Sequence, residues 1–98
     1  MTIQKQWNKY EAVILFDNYL KYLNGNITRK EAIEITSIEL RNMAMCQGIE
    51  VDEIYRNVNG ITFQMHSMES AYRGYTIMKP ASKLFREIVN IYENEFFE

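Results

Sequence analysis

One cysteine and one histidine, Cys46 and His66, are the residues of this chain whose types could support nucleophilic catalysis. A catalytic thiol needs a nearby base and a third group that orients the base. Cys46 and His66 fall on different predicted helices, and no catalytic motif surrounds either of them. A zinc site needs about four ligands, and one cysteine with one histidine is too few. We therefore expect no catalytic residue, no metal site and no cofactor, and the chain is predicted not to be an enzyme.

Structural interpretations account for these residues instead. Cys46 is interpreted as a small core residue, because free cysteines are frequently buried. His66 lies beside polar positions of its helix, which indicates a surface or cap-side histidine rather than an acid–base catalyst. Asp17 is the one charge in the middle of the first predicted helix, and it is interpreted as a solvated or locally paired carboxylate.

Charge is distributed unevenly along the chain, whose net charge is −2. Residues 54–86 hold five Lys or Arg against one Glu, a net charge of +4, whereas the residues on either side are acidic. The five cations are Arg56, Arg73, Lys79, Lys83 and Arg86, and Tyr72 and Tyr75 lie among them in the sequence. Such a segment can contact phosphate groups. The predicted helix over residues 60–70 offers no Arg or Lys to read base edges, so an ordinary mixed surface is the alternative.

Length and composition predict a single helical domain spanning residues 1–98. The chain is 47% apolar and contains one Pro and four Gly, which favours long helices over many short strands. No segment approaches the roughly 18 consecutive apolar residues of a membrane span. A single cysteine cannot form an internal disulfide, so a reducing compartment is expected. We therefore expect a cytoplasmic protein without a membrane partner.

Capping patterns mark the predicted starts of the first two helices. Asn8 with Glu11, and Thr28 with Glu31, have the spacing of a capping box, in which the two side chains satisfy each other's backbone N–H groups. Gly25 is suited to the left-handed position that ends a helix. These signals predict one helix from about Tyr10 to Leu23 and a second one that begins after Thr28.

The end of the second helix is open to two interpretations. Thr36 and Glu39 repeat the capping-box spacing, which predicts a short helix ending near Ile35 and a new helix from about Ser37 to Gln47. One continuous helix is the competing interpretation.

The stretch from Tyr55 to Tyr72 predicts a helix that presents a surface. Asn57 and Asn59 are both suitable N-cap residues. An apolar stripe with helical spacing follows, formed by Ile61, Met65, Met68 and Tyr72. The polar positions between them are expected to face mostly outward, and these are Thr62, Gln64, His66, Ser67 and Glu69.

The first and last helices complete the predicted core. The first helix is apolar around most of its circumference and is therefore expected to be central. Pro80 fits the first turn of a last helix, whose apolar face is formed by Leu84, Phe85, Ile88, Val89, Tyr92 and Phe96. We predict an all-α, compact bundle of about five helices with a helix-turn-helix-like core.

Two segments resemble the tri-helical, Myb-like helix-turn-helix modules found at the start of some bacterial restriction-type nucleases. They are the Trp-x-x-x-Glu opening at residues 7–11 and the Arg-Asn-Val-Asn-Gly-Ile run at residues 56–61, although Val58 replaces the proline of that family. The resemblance implies a DNA-facing turn at Arg56 and Asn57, with Gln64 and Ser67 along the side that faces the groove.

A second resemblance covers nearly the whole chain. The opening at Trp7, Glu11 and Ala12, the run from Arg56 to Met65 and the segment Lys79-Pro80-Ala81 are similar to a helical module at the start of large proteins from Firmicutes. This resemblance implies a relationship to a larger bacterial protein and supplies no catalytic residues.

Two functions are therefore expected. The first is a non-enzymatic module that binds or targets duplex DNA, with contacts from Arg56, Asn57, Gln64, Ser67, Arg73, Lys79 and Lys83. The second is a protein-interaction or dimerisation module that uses Tyr75, Ile77, Met78 and the Phe96-Phe97 end. The oligomeric state is left open.

Overall fold

The computed structural model describes residues 6–74 and 82–96, with side chains described as far as residue 94. Those ranges contain four helices and no strand, and the helices are α1 (Lys9–Leu23), α2 (Arg29–Cys46), α3 (Val58–Arg73) and α4 (Lys83–Phe96). The all-α prediction is confirmed for the described residues, whereas the predicted five helices and the helix-turn-helix-like core are not confirmed. Within the same ranges, no helix is both long enough and apolar enough to cross a membrane.

Both predicted capping boxes are present. The backbone N–H of Glu11 donates to the Asn8 side chain at 2.9 Å, and the N–H of Asn8 donates to the Glu11 carboxylate at 3.1 Å. Thr28 and Glu31 form the same reciprocal pair at the start of α2. The chain leaves α1 through Gly25, whose φ of 80° is the left-handed conformation predicted there.

The predicted break in the second helix is wrong, because α2 runs without interruption through Thr36. The Thr36 hydroxyl donates to the carbonyl of Ala32 at 2.7 Å, and it accepts from the Asn18 side-chain amide at 2.9 Å. The Ser37 hydroxyl donates to the carbonyl of Arg56 at 2.7 Å. Both hydroxyls are therefore engaged in bonds other than helix capping, and the continuous-helix alternative is the correct one.

Helix α1 contacts each of the other three helices, as predicted for a central helix, and α3 does the same. The expected stripe of α3 is buried against α1 at Ile61, Met65 and Met68, all with no measurable exposure. Aromatic rings join α1 to α4 at two levels, with ring centroids 5.7 Å apart for Trp7 and Phe85 and 5.1 Å apart for Phe16 and Tyr92. The order of these contacts shows that α4 runs alongside α1 in the same direction.

Two minor interpretations have different outcomes. Asp17 lies on the exposed face of α1 and pairs with Lys21 at 3.2 Å, as expected for a locally paired carboxylate. Cys46 is exposed, so its interpretation as a core residue is wrong. The core-facing positions of α2 are Leu40 and Ala44, and a residue two places after Ala44 points about 200° away around the helix.

Replacing Thr36 with valine tests whether its hydroxyl ties α2 to α1. The variant leaves the buried amide of Asn18 without one of its two acceptors, so the free energy of unfolding should fall by about 1 to 3 kcal/mol in a urea titration. Thr62→Val is the matched control, because Thr62 also donates to the carbonyl four residues before it, at 2.8 Å, but lies at the surface. Equal losses in the two variants would contradict the assigned role of Thr36.

Candidate functional site

The turn that leads into α3 is held by α2. The Asp52 carboxylate accepts from the backbone N–H groups of Ile54 at 3.0 Å and Tyr55 at 2.8 Å. Arg41 donates to the backbone carbonyls of Asp52 and Tyr55. The turn ends at Arg56, a non-glycine residue with a positive φ of 48°. The start of α3 is therefore fixed by side chains that lie outside α3.

Arg56 is buried in an ion pair, although the resemblance places it at a DNA-facing turn. Its Nε donates to one oxygen of the Glu11 carboxylate at 2.7 Å and its Nη2 donates to the other at 3.1 Å. The guanidinium carbon also lies 5.0 Å from the ring centroid of Trp7 and 4.8 Å from that of Tyr55. The Arg56 side chain is only 3% exposed. Because its guanidinium is buried and bonded to Glu11, it does not present a cation to a ligand.

Asn57 and Ser67 also have structural partners. The Asn57 side chain caps α3 by accepting from the backbone N–H of Gly60 at 2.9 Å. Ser67 is 1% exposed, and its hydroxyl accepts from the backbone N–H of Ser82 at 3.1 Å. The prediction that Ser67 faces outward is wrong, because the segment before α4 covers it. Gln64 is half-buried and remains accessible from solvent.

The outer surface at the start of α3 carries three exposed apolar side chains among neutral polar ones. Ile54 and Phe63 are each 60% exposed and Val58 is 46% exposed. No Asp, Glu, Lys or Arg occurs from residue 57 to residue 68. We call this region the uncharged surface, and it comprises Ile54, Val58, Asn59, Gly60, Thr62, Phe63 and Gln64.

A second region contains most of the predicted cations that are exposed. Arg73, Lys83 and Arg86 line a cavity of about 520 Å³ between the end of α3 and α4. We call this region the basic cleft. Lys79, the remaining predicted contact, lies outside the described residues. Two carboxylates, Glu87 and Glu93, also line the cleft, so the ionic side chains of its lining sum to a net charge of +1.

A polar cluster holds the other end of α3. One oxygen of the Glu69 carboxylate lies 3.4 Å from Nη1 of Arg29 and 3.6 Å from Nε of Arg73. The Tyr19 hydroxyl donates to the same oxygen at 3.5 Å, and burial together with the Glu69 charge raises the pKa of Tyr19. Glu69 is 9% exposed, so its predicted outward position is wrong.

His66 belongs to this cluster and not to an open surface. Its Nδ1 lies 3.2 Å from Nη2 of Arg29, and the side chain is half-buried. Among the residues that the structure describes, no group of three His, Cys, Asp or Glu side chains is arranged to hold a metal ion.

Comparisons of the chain with protein-family models, with curated proteins and with solved structures give no match.

The predicted interaction residues can be placed only in part. Tyr75, Ile77, Met78 and Phe97 lie outside the described residues, and Phe96 is the last residue of α4.

The sequence pattern alone did not indicate the uncharged surface. Phe63 falls outside the stripe formed by Ile61, Met65 and Met68, and a large aromatic residue off the buried face of a helix was the available signal. The pairing of Glu11 with Arg56 had no local signal, because the two residues are far apart in the sequence.

Replacing Arg56 with alanine should be strongly destabilising. The change leaves the Glu11 carboxylate buried without a compensating charge, which typically costs about 3 to 5 kcal/mol. Urea denaturation should show this loss. Arg86→Ala is the matched control at an exposed arginine and should change the free energy of unfolding by no more than about 0.5 kcal/mol.

A double variant keeps this prediction testable if Arg56→Ala does not fold. Glu11→Gln combined with Arg56→Met removes both charges, so it should be more stable than Arg56→Ala alone. A single Arg56→Ala variant as stable as the unmodified protein would show that the ion pair is not required.

Proposed function

We propose that this chain is a non-catalytic binding module that docks against another protein through the uncharged surface. The observation that carries the proposal is the exposure of Phe63, Val58 and Ile54 around a helical stretch without charged residues. An isolated exposed apolar residue is ordinary on a protein surface. Three large ones on one short segment and the turn before it are typical of an interaction site.

The chemistry of the surface suits a protein partner. The centres of protein interfaces are depleted of charged residues and enriched in aromatic side chains. A few such side chains usually supply most of the binding free energy. Phe63 is the natural anchor here, and the neutral side chains of Asn59, Thr62 and Gln64 provide hydrogen bonds at its edge. The partner that fits this arrangement has an apolar patch with neutral polar groups around it.

Hydrogen bonds hold the uncharged surface in place, and this also favours docking. Arg41 and Asp52 hold the turn that carries Ile54, and Asn57 caps the first turn of α3. A surface that is already ordered loses less conformational entropy when a partner binds.

Phe63→Asp tests the docking proposal. It places a charge in the centre of the uncharged surface and should weaken binding of a purified partner at least tenfold in calorimetry, since buried unpaired charges are costly. The partner is first identified by crosslinking to the unmodified protein, and sedimentation at several concentrations tests whether it is a second copy of this chain. Ile91→Asp is the matched control, because Ile91 is 58% exposed on α4 and lies outside the surface.

Two outcomes would contradict the docking proposal. One is a partner whose affinity falls equally in the Phe63→Asp and Ile91→Asp variants. The other is a partner that binds the two variants as tightly as it binds the unmodified protein.

Duplex DNA is the second candidate ligand, and the basic cleft is the observation that favours it. Arg73, Lys83 and Arg86 converge on one cavity, and cations of this kind neutralise backbone phosphates. Of the residues predicted to contact DNA, Arg73 and Lys83 lie in the cleft. Gln64 is about two and a half helical turns away along α3. Arg56, Asn57 and Ser67 contribute to this candidate only by holding α3 in place.

A salt series with a mixed-sequence duplex tests the DNA candidate. The logarithm of the binding constant should fall linearly with the logarithm of salt concentration, with a slope of about 0.9 per phosphate contact. Lys83→Ala combined with Arg86→Ala should reduce that slope by about 2. Lys21→Ala combined with Lys30→Ala removes two exposed cations elsewhere and should leave the slope unchanged. The same slope in both double variants would exclude the cleft as the contact.

A further inference from the structure

We propose that the basic cleft binds a compact phosphate ester whose body carries hydroxyl groups. This ligand site is separate from the protein-docking surface, because it lies at the opposite end of α3. It also differs from a backbone contact with duplex DNA in using the apolar wall and the carboxylates of the cleft as well as its cations.

The cleft is a largely open groove whose volume suits a small molecule. Its volume of about 520 Å³ falls within the range of about 300 to 1,000 Å³ that is typical of ligand pockets. Part of its wall is apolar and comes from Ala71, Tyr72 and Val89. Tyr72 is held in place by ring contacts to Phe16 and Tyr19, at centroid distances of 5.8 and 5.7 Å. This wall is therefore firmly supported by the core.

Two of the three cations of the cleft, Lys83 and Arg86, are available to an anion, whereas Arg73 is shared with Glu69 at 3.6 Å. Among the side chains of residues 6–74 and 82–94, no carboxylate lies within 4.0 Å of the Lys83 amine or the Arg86 guanidinium. Lys83 and Glu87 have the four-residue spacing of a helical ion pair, yet they do not form one. A guanidinium can bind two phosphate oxygens at once, and a lysine amine adds a compact charge beside it.

The N-terminus of α4 reinforces the positive side of the cleft. Lys83 is the first residue of α4, whose N-terminus carries a partial positive charge. The Ser82 hydroxyl accepts from the backbone N–H of Phe85 at 3.1 Å and so caps this end. Arg73 lies in the last turn of α3, where its charge offsets the partial negative charge of that terminus.

The two carboxylates of the cleft define the rest of the ligand. Glu87 lies one helical turn beyond Lys83, and Glu93 lies about two turns beyond Arg86, so Glu93 is the carboxylate that faces the part of the ligand beyond its phosphate group. Carboxylates accept hydrogen bonds from hydroxyl groups and repel further negative charge. A long polyanion would meet both of them, whereas a single phosphate on a hydroxylated body matches the cations and the acceptors together.

Ribose 5-phosphate is the probe for this proposal. Titrated into the ¹⁵N-labelled protein at constant ionic strength, it should give saturable shifts at the backbone signals of Arg73, Lys83 and Arg86. Ribose without the phosphate should give none. Inorganic phosphate should shift the same signals but bind several-fold more weakly, because it has no hydroxylated body.

Lys83→Ala combined with Arg86→Ala should weaken binding of the probe at least tenfold, while Lys21→Ala with Lys30→Ala should leave it unchanged. No saturable shifts at the cleft, or equal weakening in both double variants, would overturn the proposal. Shifts at the cleft with a DNA duplex but not with ribose 5-phosphate would also overturn it and would assign the cleft to nucleic acid. Because Phe63 is remote from the cleft, loss of protein docking in the Phe63→Asp variant is a separate outcome.

Discussion

The buried ion pair between Arg56 and Glu11 is the interaction on which the position of α3 depends. Glu11 completes the capping box that starts α1, and it accepts both bonds from the Arg56 side chain. The backbone carbonyl of Arg56 in turn accepts from Ser37 of α2. One residue at the entrance to α3 therefore joins the start of α1 to the middle of α2, while the rings of Trp7 and Tyr55 exclude water from its charge.

Burying this pair has a cost in desolvation. Two charges removed from water regain stability only when their geometry is good and their remaining hydrogen bonds are satisfied. The planar fork of an arginine meets that requirement against a carboxylate. At the other end of α3, Glu69 is held by Arg29 of α2 and by Tyr19 of α1. Polar contacts thus anchor both ends of α3, and they orient the uncharged surface and the basic cleft relative to the core.

Local signals predicted much of the fold, because they depend on residues close together in the sequence. The capping pair of Asn8 and Glu11 and the stripe through Ile61 and Met65 both appear as expected. The failures came from contacts between distant residues. Thr36 looked like a helix start until its partner Asn18 was known, and Arg56 looked like a surface cation until Glu11 was placed beside it. For the site, sequence charge located the cations of the cleft, whereas the uncharged surface required the measured exposure of Phe63.

The most direct test of this account is an NMR measurement on the Nε–Hε group of Arg56 in ¹⁵N-labelled protein. A guanidinium bonded to Glu11 and enclosed by two aromatic rings should exchange its Hε with water much more slowly than exposed Arg86 does. It should also show nuclear Overhauser contacts to the indole protons of Trp7. An Arg56 Hε that exchanges as fast as that of Arg86, with no contact to Trp7, would show that the arginine faces solvent and would contradict the central role assigned to the pair.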